Sequence, residues 1–130
     1  MTELHEAASL GDLDRVEEAL RRGLDPNEAD PEWGDRTPLH IAASKGFKKC
    51  VYVLLQAGAS TNAVTADGWT PAHFACETGQ VQCLQCLISG GCDLTLPDDS
   101  CDTPLHVATV YGQRECIDLI TERLHNQRTK

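Results

Sequence analysis

The feature that most constrains this chain is that it copies itself. "TPLHIAASKG" begins at Thr37, "TPAHFACETG" at Thr70 and "TPLHVATVYG" at Thr103, so these copies stand 33 residues apart. A weaker copy, "TELHEAASLG", begins at Thr2, 35 residues before Thr37. The register continues past these segments. Gly23, Gly58 and Gly91 each follow their opening Thr by 21 residues, and Asn27 and Asn62 follow theirs by 25. Self-similarity at a period of about 20–50 residues marks a stacked array, in which no unit can bury its apolar face alone.

One unit, Thr37 to Asn62, shows how the local chemistry works. Thr37 is placed to cap a helix, and Pro38 presets φ where its missing N–H is not needed. Leu39, Ile41 and Ala42 point toward the core, and the small Ala42 and Ala43 let neighbouring helices approach closely. Gly46 is a left-handed helix end. A second helix follows in "KKCVYVLLQAG", where Cys50, Val51, Val53, Leu54 and Leu55 give a broad apolar face. Gly58 closes it, and Asp67-Gly68 signals a turn.

The T-P-L-H-x-A signature at this period resembles the ankyrin repeat family, along almost the whole chain. The resemblance implies an all-α repeat solenoid, with helix-turn-helix units and projecting β-hairpin fingers. It implies one domain, 1–130, with repeats at about 1–34, 35–67, 68–100 and 101–130. The outer two read as caps, which need a polar outer face. Glu6 stands where the inner units have Ile41, Phe74 and Val107, and Glu3 stands where they have Pro. The last second helix, "QRECIDLITERLHNQR", surrounds an Ile117/Ile120/Leu124 stripe with charge. A complete four-repeat domain is the expectation.

A His beside a Thr can suggest catalysis, but His40, His73 and His106 recur in register and His5 fills the same slot. A catalytic His would occur once, with a partner. The resemblance implies that this His bonds its own turn and the neighbouring repeat. No nucleophile, phosphate loop or metal cluster remains, so neither an enzyme nor a cofactor is expected.

Seven cysteines raise a second temptation. Cys83-x-x-Cys86 with His73 and His106 could suggest zinc, yet a structural zinc site usually takes two short-spaced pairs and only one is present. Cys50, Cys83 and Cys116 share one slot of the period, where a buried free thiol acts as a small hydrophobe. Cys101 takes the slot of Gly68 and is expected to be the most exposed thiol.

Composition excludes other classes. No apolar run approaches the length of a membrane span, and "MTELHEAASLGDLD" lacks the basic start and apolar core of a secretory signal. Free thiols then fit a cytoplasmic or nuclear location. The net charge of −9 argues against nucleic acid as a partner. That charge is unevenly placed. Segments 24–36, 59–69 and 92–102 hold ten acids and one Arg, while the rest holds ten acids and ten bases. Asp25, Asp30, Asp93 and Asp98 fall in turn slots. Glu28, Glu32, Asp35, Asp99 and Asp102 are less easily assigned to turn chemistry and suggest a partner with a basic edge.

In the ankyrin family, finger tips and the exposed face of each first helix recognise partners. The resemblance therefore implies a protein or peptide bound by Trp33, Arg36, Lys45, Trp69, Glu77, Asp102 and Tyr111. Ser44, Thr78 and Val110 stand in the same variable slots. Trp, Tyr and Arg are frequent binding hot spots, although Trp69 packed on its neighbouring finger is the competing reading. The leading function is a non-catalytic, monomeric interaction module or adaptor. The alternatives are a small ankyrin-type inhibitor occluding an enzyme such as a kinase, and, from another class, a thiol-based metal or redox protein. Resemblance also points to Asn62 as a candidate for hydroxylation, with a purely structural cap as the alternative.

Overall fold

The computed structural model describes residues 1–128; Thr129 and Lys130, the end of the expected fourth unit, lie outside the described residues. Among the described residues, eight α-helices run in pairs. They are α1 (Glu3–Leu10) and α2 (Leu13–Arg21), α3 (Pro38–Lys45) and α4 (Lys48–Gln56), α5 (Pro71–Thr78) and α6 (Val81–Ser89), and α7 (Pro104–Val110) and α8 (Arg114–Arg128). The first helices pack side by side in the order α1, α3, α5, α7, and the second helices follow as α2, α4, α6, α8. The array is an all-α repeat stack.

The reasons for these elements are local. Thr2, Thr37 and Thr70 each accept a hydrogen bond from the backbone N–H of the His three residues on, and that His side chain reaches back to the cap backbone. The turn is thereby closed from both sides. Gly46 ends α3 at φ 83° with its N–H on Ala42 O. A methyl on Gly46 would collide with the Gln80 side chain of the next unit, as one on Gly11 would with the Phe47 ring. Glycine at this slot thus serves close stacking as well as the left-handed turn.

The core is one continuous strip. Leu39, Ala42, Val51 and Leu54 of the second unit and Ala75, Leu84 and Leu87 of the third are fully buried. Cys50, Cys83 and Cys116 occupy their shared slot at 2%, 1% and 1% exposure, so these thiols are core atoms. Cys86 is only half-buried.

The fingers differ from the expected β-hairpins. Among the described residues there is no strand, only an isolated antiparallel bridge between Asp30 and Arg36. Each finger closes on a pair of backbone bonds: Asp30 N–H to Arg36 O with Asp35 N–H to Asp30 O, Thr65 N–H to Trp69 O with Gly68 N–H to Thr65 O, and Asp98 N–H to Asp102 O with Cys101 N–H to Asp98 O. The span is too short for a ladder. Adjacent fingers are tied instead by Ala66 N–H to Gly34 O and Asp99 N–H to Asp67 O. The longer first finger folds its extra residues into a 3-10 turn, Pro31–Trp33, capped by Asp30.

Candidate functional site

The repeating His is placed by the stacking of the units. His40 is fully buried. Its Nδ1 accepts from the Thr37 N–H at 3.0 Å and lies 2.8 Å from the Thr37 hydroxyl. With Nδ1 an acceptor, Nε2 carries the proton and donates to Ala63 O and Trp69 O, both at 2.9 Å. His5 reaches Arg36 O at 3.0 Å and His73 reaches Asp102 O at 2.8 Å. Burial pushes the His40 pKa down to about 4, against the upward pull of the two carbonyls. These imidazoles cross-link neighbouring units, and burial favours the neutral form of His40 and His73. His106 departs from the pattern: it is exposed and its Nδ1 faces the Asp102 carboxylate.

The asparagine slot makes a second set of cross-links. Asn27 donates to Gly58 O at 3.0 Å and accepts from the Ser60 N–H at 2.7 Å. Asn62 accepts from the Asp93 N–H at 2.9 Å. Thr95, the third member of the slot, bonds Asp93 within its own finger.

Arg36, Trp69 and Asp102 therefore carry the carbonyls that the histidines hold, and their side chains stand at the finger bases. A groove of about 370 Å³ opens between the first two fingers and α5. Trp33, Arg36, Trp69 and Glu77, four of the seven expected contact residues, line it. The Arg36 guanidinium lies 5.3 Å from the Trp33 ring centre and 4.8 Å from that of Phe74. Trp69 is half-buried and braced. Its indole stacks on His73 at 5.6 Å, meets Phe74 edge-on at 4.9 Å, and donates Nε1–H to the Asp98 carboxylate at 2.8 Å. Packing against the neighbouring finger is thus realised, and part of the ring still faces the groove. Lys45 is exposed on α3, Tyr111 is exposed at the end of α7, and Asp102 is turned to His106; none of these three lines the groove.

Sequence reasoning placed Phe74 only in a core slot shared with Ile41 and Val107. It is 7% exposed and also lines the groove. The signal was present, since an aromatic ring there outreaches the branched aliphatic side chains of the other units. Glu32 and Asp67 also stand on the groove.

The finger acids divide into two groups. Asp25, Asp30, Asp93 and Asp98 each accept from a backbone N–H two residues on, as turn chemistry requires. Burial works against ionisation of Asp98, but bonds from Asp102, Trp69 and Ser100 outweigh it and hold its carboxyl below the ordinary value. Glu28, Glu32, Asp35, Asp67 and Asp99 have no such side-chain bond among the described residues, and Asp102 faces His106 instead.

Among the described residues no group of three or more His, Cys, Asp and Glu is arranged to hold a metal ion, and no helix is long and apolar enough to cross a membrane.

Paired helices stacked through His and Asn cross-links, with a groove beside the fingers, define a helical repeat protein. A model of ankyrin repeats, three copies long, matches residues 4–98 and 54–129, and the chain belongs to the ankyrin repeat family. Such repeats are generally protein-interaction modules. The chain is 58% identical over 41 residues to the potassium channel AKT1 of Arabidopsis thaliana, covering 32% of this chain and 5% of the channel. It is 33% identical over 67 residues to ankyrin repeat domain-containing protein 13C of Danio rerio, covering 52% and 13%. It is 35% identical over 65 residues to histone-lysine N-methyltransferase EHMT1 of Mus musculus, covering 50% and 5%. The chain thus spans between 5% and 13% of the length of these relatives.

Proposed function

We propose that the chain is a non-catalytic interaction module that binds a protein or peptide across its fingers and first helices, anchored at the groove. The observation that carries this reading is the convergence of Trp33, Arg36, Trp69 and Glu77 on one groove. Lys45, Asp102 and Tyr111 extend the contact along the first-helix side. Trp69 is fixed in place by His73, Phe74 and Asp98. Preorganised aromatic surface lowers the ordering cost of binding. The unbonded finger acids favour a partner with a basic edge and speed its approach at low salt. The module acts as a monomer inside the cell, in the cytoplasm or nucleus, which suits seven free thiols.

The test is capture of partners from cell extract by the wild-type chain and by Trp33→Ala, followed by mapping of the covered surface by amide exchange. Truncating Trp33 should cost about 2 kcal/mol of binding. Protection confined to α4 and α6 around Lys48, Lys49 and Tyr52, with Trp69 uncovered, would overturn the assignment.

Asn62 hydroxylation belongs to the same proposal. Asn62 is exposed near a finger base, although its amide oxygen is already engaged by the Asp93 N–H. Mass spectrometry of protein from animal cells should find one added oxygen on Asn62; its absence would leave the structural role alone.

A further inference from the structure

The groove between the first two fingers mixes two kinds of surface. Trp33, Trp69 and Phe74 supply aromatic rings. Glu32, Asp67 and Glu77 supply carboxylates, and none of the three carboxylates has a hydrogen bond or ion pair among the described residues. Aromatic faces attract cations through the ring quadrupole, most strongly when water is partly excluded. Unpaired carboxylates attract them by charge. Both features favour the same guest, a cation whose flanks are flat or apolar.

The molecule already lodges one such group. The Arg36 guanidinium lies over Trp33 and Phe74. It makes no ion pair with the carboxylates around it. The groove lining therefore carries three acids against one base and retains a negative balance. Trp69 cannot easily turn away, because Asp98 of the next finger and His73 at the start of α5 hold it. An acidic guest would be repelled by the carboxylates, and a neutral one gains less from them than a cation does.

We infer that the groove accepts one basic side chain, an arginine or lysine of the bound segment, laid along Trp33 and Trp69 with its charge among Glu32, Asp67 and Glu77. The inference rests on the finger-side reading above and specifies the chemistry of its anchor. Arginine is the better guest, since its planar guanidinium stacks on aromatic rings while its N–H groups reach carboxylates.

The test uses capped pentapeptides with a central arginine, lysine, citrulline or norleucine between glycines, titrated into the full chain at low salt. The indole N–H resonances of Trp33 and Trp69 report binding by NMR. Citrulline keeps the shape of arginine and loses its charge. The arginine and lysine peptides should bind at least threefold more tightly than their neutral counterparts, with arginine the tighter of the two. The variant Glu32→Gln/Asp67→Asn/Glu77→Gln should abolish the difference without lowering the melting midpoint, and Trp33→Ala should weaken both basic peptides. Equal binding of arginine and citrulline peptides, or a preference that survives the triple variant, would overturn the inference. A captured partner that covers Trp69 while the peptides show no charge preference would leave the finger-side reading standing and remove only the cationic anchor.

Discussion

The Nε2 atom of His40 lies 2.9 Å from the carbonyl oxygen of Trp69, so an imidazole in one repeat hangs on the backbone of the next. That carbonyl belongs to a residue whose side chain lines the groove. The bond that joins two repeats therefore also sets the base of the finger that presents Trp69. On the proposed reading, stability and recognition share this position, with the backbone serving the first and the side chain the second.

Removing such an imidazole should loosen the stack. His73→Ala leaves the Asp102 carbonyl and the Thr70 N–H without their partner. Loss of a buried hydrogen bond costs about 1–3 kcal/mol. His106→Ala, at an exposed position, should be nearly neutral. Thermal or urea unfolding of the two variants measures the contrast. Equal midpoints would show that the slot is not a cross-link.

The same groups set the response to acid. Burial holds His40 near pKa 4, below its ordinary 6.5, and lowers His73 as well. Unfolding therefore takes up protons at intermediate pH. Stability is fully present above about pH 6.5 and falls as pH drops toward 4, by about 3 kcal/mol for His40 alone. Asp98, held below its ordinary value, extends the loss to still lower pH. Urea midpoints measured from pH 7 to pH 4 should fall steadily; a flat profile would contradict the buried neutral state.

Two fingers contain strained residues where the middle finger has glycine. Asp35 and Cys101 sit at φ 62° and 67°, in the slot filled by Gly68 at φ 81°. The left-handed region costs an ordinary residue about 1–2 kcal/mol, and glycine returns part of the gain through a freer unfolded chain. Cys101→Gly should thus stabilise by about 0.5–1 kcal/mol, after both effects. The opposite change, Gly68→Ala, places a methyl against Asp99 and should destabilise. Chemical denaturation of the pair tests both signs.

Thiol reactivity should follow burial. Cys101 is exposed, Cys86 and Cys92 are half-buried, and the other four are buried. Burial pushes Cys83 and Cys92 up to about 11, so little thiolate forms at neutral pH. Brief iodoacetamide treatment of the native chain should label Cys101 first, and labelling in urea should reach all seven. Rapid native labelling of Cys83 would show that α6 opens readily.

The repeat, its helix pairs and its cross-linking histidines were legible in the sequence because each is written locally and then written again. Thr37, Pro38, His40 and Gly46 specify a capped helix within ten residues, and three near-copies make the pattern unmistakable. The shared slot of Cys50, Cys83 and Cys116 follows from the same periodicity. What repetition cannot convey is where one unit differs from the next. Phe74 stands in a slot of branched aliphatics, and only stacking brings its ring under the Arg36 guanidinium of the preceding finger. The Nε1 of Trp69 finds Asp98 across 29 residues of chain. The fingers form tight turns, each tied to the next by a backbone bond, rather than a ladder. Periodicity determined which residues are equivalent. The tertiary structure decided which unlike residues meet, because side chains of different size and charge are brought into contact only when the units stack.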